Sequence, residues 1–172
     1  MARQARVKVI SVRTEDEIDH VRVLVWEFFD FLRLRYPEML EMIDDYLKEQ
    51  NVKGELAAFG QYFLPPHGEC FLAFHNDQPA GIVMMKPHGD NDVEMNRMYV
   101  RDTARGHGIG RALGQALVDE ARAQRRGAVW LDALYRHVEA LPLYESLGFE
   151  YFTDAQAFGG DDKRVIHMKL VL

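Results

Sequence analysis

Gly106, Gly108 and Gly110 alternate through the segment Arg105-Gly106-His107-Gly108-Ile109-Gly110. The strand-like run VEMNRMYV, residues 93 to 100, precedes them, and the helical stretch RALGQALVDEARAQRRG follows. Strand, glycine turn and helix start, in that order, form a cradle for a phosphate. The first N–H groups of a helix have no partner within it, and its dipole puts partial positive charge there. Glycines let the backbone approach a bulky anion. The expectation is that this turn grips the pyrophosphate of a cofactor and that the strand before it presents the cofactor for chemistry. Arg105 and Arg111 add charge at the rim.

The elements around this turn can be read in order. Val7, Val9 and Val12 lie in a short β-type run. Thr14 and Glu17 form a capping box, and Ile18, Val21, Val25, Phe28, Phe29 and Leu32 follow at helical spacing. Pro37 ends that helix or starts the next. Met39, Ile43, Tyr46 and Leu47 mark a second helix, with Gly54 read as its break. Leu56, Phe59 and Phe63 suggest a short third helical turn, stopped by Pro65-Pro66. Residues 70 to 74 and 80 to 85 read as a hairpin around Asn76-Asp77-Gln78-Pro79. Residues 88 to 91 turn the chain into the third strand. The helix after the glycine turn carries a stripe of Ile109, Ala112, Leu113, Ala116, Leu117 and Ala121, with Gly127 placed to end it. Val129 to Leu131 is a strand, Ala140 to Leu147 a short helix, and Phe149 to Phe152 and Val165 to Val171 two final strands.

The bulk numbers narrow the classes. A length of 172 residues favours one domain over the whole chain, and 48% apolar residues can build a core. The net charge of −6 argues against a nucleic-acid surface. The one cysteine, Cys70, excludes an internal disulfide framework and suits a reducing compartment, so the cytoplasm is the expected location. The first twelve residues alternate, unlike a secretory signal, and no apolar run is long enough for a membrane span. The seven histidines show no metal-ligand spacing, so no metal is expected.

Two motifs in order give the chain a resemblance. Arg105, Gly108 and Gly110 match the acetyl-CoA signature of the GNAT family of N-acetyltransferases. Leu143-Tyr144-Glu145-Ser146-Leu147-Gly148-Phe149 matches a second family segment. The chain resembles that family over roughly residues 70 to 152. The resemblance implies an α/β (α+β) fold: a single domain with a mixed, mainly antiparallel sheet flanked by helices. It further implies that the strands around 93–100 and 128–132 run parallel, joined by the long helix.

The resemblance also implies roles. Acetyl transfer to a primary amine requires removal of a proton from the amine, stabilisation of the carbonyl oxygen and protonation of the leaving thiolate. Glu94 stands where many members place a general base, acting directly or through water. Tyr144 matches the general acid, and the N–H of Met98 the oxyanion donor. Met98, Tyr99 and Val100 match the strand edge that holds the pantetheine arm. Gly106, His107, Gly108, Ile109, Gly110 and Arg111 match the pyrophosphate loop, His107 through its backbone alone. His137 stands where the family often has asparagine, which puts one polar cofactor contact in doubt.

Quieter readings stand beside these. The glycines could serve only a tight turn, Glu94 could face solvent, and Tyr144 could be a core aromatic. Phe28, Phe29 and Phe31 read mostly as core, though one could face the acceptor cleft, and His67, His75 and His88 read as surface or turn residues. The acceptor has no motif: small amines, amino acids, antibiotics and peptide or protein amines all stay open. Asp90, Asp92, Asp154 and Asp161 hint at a cationic acceptor or form a solvated surface. A homodimer is compatible with the sequence, but no residue pattern specifies one. Two rival functions remain. One is a coenzyme A sensor without turnover. The other is a nicotinamide-dependent oxidoreductase, with Asp132 about twenty residues beyond the glycines. Against the latter, the glycines do not fall as G-x-G-x-x-G.

Overall fold

The computed structural model describes residues 6–136, 139–153, 160 and 162–172. Among these, seven strands form one sheet in the order β1-β2-β3-β4-β5-β7-β6. They are β1 (Val7–Ser11), β2 (Glu69–His75), β3 (Gln78–His88), β4 (Asp92–Val100), β5 (Ala128–Leu134), β6 (Glu150–Phe152) and β7 (Val165–Val171). The helices are α1 (Glu15–Arg35), α2 (Leu40–Glu49), α3 (Val52–Ala57), α4 (Phe59–Phe63), α5 (Ile109–Ala123) and α6 (Ala140–Ser146). The expected mixed, mainly antiparallel sheet is present. Only β4 and β5 pair in parallel, and α5 crosses between them.

Each sheet face buries its own core. One carries Val83, Met85, Val93, Met95, Val129 and Leu131 under the α5 stripe of Ile109, Leu113, Leu117 and Ala121. The other carries Cys70, Leu72, Ile82 and Met84 under Val21, Leu24, Val25 and Phe29 of α1, with Ile43, Leu56 and Phe63 from the following helices. Each such large apolar side chain contributes roughly 1.5–3 kcal/mol on burial. Alternation along β3 and β4 assigns residues to these faces; β3, buried on both, is apolar from Pro79 to Met85, while β4 interposes Glu94, Asn96 and Arg97. The Thr14–Glu17 capping box forms as expected.

Two glycines do other work than expected. Gly54 lies inside α3, and the chain breaks instead at Asn51, which takes a left-handed conformation at φ 47°. Gly127 does not close α5. Arg125 takes the left-handed position at φ 56°, and the Arg126 N–H reaches the Ala121 carbonyl at 3.0 Å. That is a Schellman closure with arginine at its left-handed residue. Gly127 is small for a different reason, since a Cβ there would sit 2.7 Å from the Asp92 carboxylate.

Two irregularities shape the centre of the sheet. First, β4 and β5 pair only at Val93↔Val129 and Glu94↔Trp130, and beyond Glu94 the strands part. Second, β4 bulges against β3: Asn96 pairs with Met84 and Tyr99 with Ile82, so Arg97 and Met98 share the space of one residue. Arg97 carries the bend at φ 53°. Among the described residues, no helix is long and apolar enough to cross a membrane.

Candidate active site

The parting of β4 and β5 opens two cavities that share Phe28 and Met98. The first, about 360 Å³, lies over the glycine turn and is lined by Met98, Tyr99, Val100, Arg105, Gly106, Gly108, Ile109, Gly110 and Arg111, with Phe31 and Glu139 opposite. This brings together every sequence-expected cofactor residue except two. His107 turns its side chain away and stacks on His75 at 4.4 Å between ring centroids. His137 lies outside the described residues.

The turn fits an anionic ligand. Gly106 and Gly108 take φ of 81° and 76°, and a Cβ on either would meet nothing within 4 Å. They are glycines for conformation, with open space in front of them. Gly108 is the N-cap of α5 and supplies no side-chain cap. The first bond into the helix runs from the Ala112 N–H to the Gly108 carbonyl at 3.0 Å. Among the described residues, the N–H groups of 106 to 111 take no backbone acceptor. A row of uncapped N–H donors at a helix start, beside Arg105 and Arg111, suits a diphosphate. Gly108→Ala is expected to cost about 1–2 kcal/mol of stability from left-handed strain. It should also weaken coenzyme A binding, read by calorimetric titration.

Opposite the turn, Arg35 of α1 grips Glu139 with two hydrogen bonds of 2.8 Å. The Arg35 guanidinium holds the Glu139 carboxyl down at about 2. Arg35 and Arg105 both lie over the Phe31 ring, at 4.5 and 5.0 Å. Phe28 and Phe31 therefore form the wall of the cleft, and of the three phenylalanines read as mostly core only Phe29 is buried.

The second cavity, about 110 Å³, sits under α1 and α2, where the strands part. Glu94, Asn96, Arg97, Asp132, Tyr46 and Tyr144 bring its polar groups. Glu94 is the last β4 residue paired with β5. Burial, then the neighbouring Asp132, raises its pKa above the usual carboxylate range. His88, the exposed last residue of β3, places Nδ1 3.8 Å from the Glu94 carboxylate and stacks on Trp130. Tyr144 is buried, and burial alone pushes its hydroxyl pKa up, keeping it protonated. The Phe149 N–H closes on the Tyr144 carbonyl at 3.0 Å, with Gly148 at φ 101° making that return. The glycine and phenylalanine of the second motif thus hold the tyrosine in place.

Asp132 is engaged differently from a nicotinamide-binding aspartate. It pairs with His167 at 2.5 Å and lines the smaller cavity, away from the glycine turn. Among the described residues, no group of three or more His, Cys, Asp or Glu could hold a metal ion. The sequence reading missed Arg97, Asn96, Glu139 and the Glu55–Lys86 pair. No spacing marks them, because a bulge and long-range packing put them there.

The family model for the acetyltransferase (GNAT) family matches residues 26–149. The chain belongs to this family, whose members move an acetyl group from acetyl-CoA to an amine. N-acetylaspartate synthetase of Rattus norvegicus is 38% identical over 122 residues, covering 70% of this chain and 40% of the relative. The chain thus matches less than half the length of that relative. The fold is shared with a GNAT acetyltransferase from Staphylococcus aureus Mu50, with a TM-score of 0.72, 15% identity and coverage of 97% and 99% of the two chains. It is shared equally with the PaiA N-acetyltransferase of Thermoplasma acidophilum, solved in complex with coenzyme A, with a TM-score of 0.71, 14% identity and the same coverage.

Proposed function

We propose that this chain transfers an acetyl group from acetyl-CoA to a primary amine, by direct attack within a ternary complex. The observation that carries the reading is the junction of the two cavities. The glycine turn lines one, Glu94 and Tyr144 line the other, and Met98 belongs to both. A thioester anchored on the turn by its diphosphate would lie along the open edge of β4, with its carbonyl at Met98.

The roles follow from the chemistry of each group. Glu94 takes a proton from the ammonium, freeing the nitrogen lone pair to attack the thioester carbon. The Met98 N–H donates to the carbonyl oxygen as it gains charge; at the bulge, Met98 has no partner in the β3 register. The carbon–sulfur bond breaks, and Tyr144 gives its proton to the leaving thiolate. An ordinary thiol titrates near ~8.5, well below a buried tyrosine, but the tyrosinate need only last until bulk solvent or the released amine proton restores it. Gly106 to Arg111 bind the diphosphate, and Met98, Tyr99 and Val100 the pantetheine arm.

The similarity to an enzyme named for making N-acetylaspartate supports a small-molecule acceptor. One cysteine in the whole chain, buried in the sheet, supports a reducing compartment such as the cytoplasm. The test is free-thiol release from acetyl-CoA against a panel of amines. Acceptor-dependent release is expected. Acetyl-CoA that raises the melting temperature but is never consumed would instead make the chain a coenzyme sensor.

A further inference from the structure

Among the described residues, two buried donors on the smaller cavity have no acceptor. Arg97 has a side chain 1% exposed, and its Nε finds no partner. Its Nη2 reaches Glu55 only at 3.4 Å, and its Nη1 reaches the Met84 sulfur at 3.7 Å. Beside it, Asn96 is 6% exposed, and its Nδ2 also lacks a partner. An unmatched buried donor is costly, and more so when charged. Two in succession, on a cavity wall, describe a place built for an acceptor of hydrogen bonds.

The bulge is what puts them there together. Strict alternation would send Asn96 and Arg97 to opposite faces. The left-handed turn at Arg97 brings its side chain back to the face of Met84 and Phe63, where Asn96 and Glu94 also lie. Left-handed backbone at a non-glycine residue is strained, and such strain clusters at ligand-binding sites.

Charge points the same way. Glu55, itself 7% exposed, is shared between Lys86 at 3.2 Å and Arg97 at 3.4 Å. Two cations thus share the Glu55 carboxylate, and both also act on Glu94. Of the acids that line the cavity, Asp132 pairs with His167, and Glu94 is the base of the mechanism proposed above. Asp90 is exposed at a hairpin turn and Asp92 accepts from Trp130 Nε1 at 2.7 Å; neither lines the cavity, while Asp154 and Asp161 lie outside the described residues. Neither described acid behind the expectation of a cationic acceptor lines the cavity, and a second ammonium entering it would meet Arg97.

We propose that the acceptor is an amino acid, whose carboxylate is held by the Arg97 guanidinium and the Asn96 amide while its amine is presented to Glu94. This rests on the acetyl-transfer reading above and names what that site takes. Arg97 is a binding residue for substrate. Its planar fork suits a carboxylate, which offers paired acceptor oxygens.

The test compares matched acceptors by thiol release: L-aspartate, L-glutamate and L-alanine, their carboxyl-amidated forms, and putrescine. The acids are expected to be used, with kcat/KM at least tenfold above that of their amides and of putrescine. In Arg97→Met the KM for the favoured acid should rise at least tenfold, the preference over its amide should vanish, and the KM for acetyl-CoA should hold. Because Arg97→Met leaves Glu55 buried beside one cation fewer, the double variant Glu55→Gln/Arg97→Met is run beside it to separate loss of binding from loss of folding. Amides or putrescine used as well as the acids, acids left unused, or a preference unchanged in both variants would overturn the proposal. Thermal protection by coenzyme A, measured separately, reports on the glycine turn; its absence would fault the acetyl-transfer reading, whatever the acceptor panel shows.

Discussion

Replacing Tyr144 by phenylalanine is expected to lower kcat by about 10²- to 10³-fold, the range of a lost general acid, while coenzyme A affinity barely moves. The substitution removes one oxygen from a ring that stays buried beside Phe149, with ring centroids 6.0 Å apart. Nothing structural depends on that oxygen among the described residues, since no hydrogen bond holds it. On the proposed mechanism its partner arises only when sulfur begins to leave, so the loss should fall on the transition state and spare the ground state. Stopped-flow turnover and calorimetric titration together check this. Equal losses in kcat and coenzyme affinity would show that the hydroxyl binds and does not donate.

Glu94→Gln is expected to reduce turnover by a similar factor of about 10² or more and to flatten the acid limb of the pH–rate profile. On the proposed mechanism Glu94 is the base, and it can take a proton only when ionised. Burial and Asp132 raise its pKa, so in the wild-type protein activity should climb with pH above the ordinary glutamate range. The same shift has an opposite effect on stability. Between the unfolded pKa and the raised folded one, the native state binds the proton more readily. Its contribution to stability is therefore complete below the unfolded pKa and is lost as pH rises through the folded value. Glutamine never ionises, so the variant should be nearly inactive yet at least as stable near neutral pH. Thermal melts across pH, beside rate profiles, read both effects; an unchanged acid limb would remove Glu94 from the base role.

What was legible before the structure was whatever depends on local backbone need. Gly106 and Gly108 are required by positive φ, and Gly148 by the return after α6. These leave a mark at fixed spacing, and so does the alternation that marks the strands. Gly127 shows the limit: its size answers to Asp92, 35 residues away, and the helix end it seemed to mark is made by Arg125. Arg97 was illegible for a stronger reason. Period-two reading sends it to the wrong face, and only the extra residue in β4, set against β3, turns it round. Glu139 and Arg35 are likewise 104 positions apart and meet only because α1 lies across the cleft. Residue types announce a turn; they do not announce which distant side chain will be waiting there.

The two-pair seam between β4 and β5 has a mechanical meaning. The sheet is close to two half-sheets joined by a short stitch and one crossover helix, and the rungs missing beyond Glu94 are backbone groups without a neighbouring strand. A pantetheine amide laid along that edge would act as a borrowed strand, completing the ladder with atoms the polypeptide does not own. Occupancy and rigidity then become one variable, and the enzyme would be most solid at the moment it is loaded.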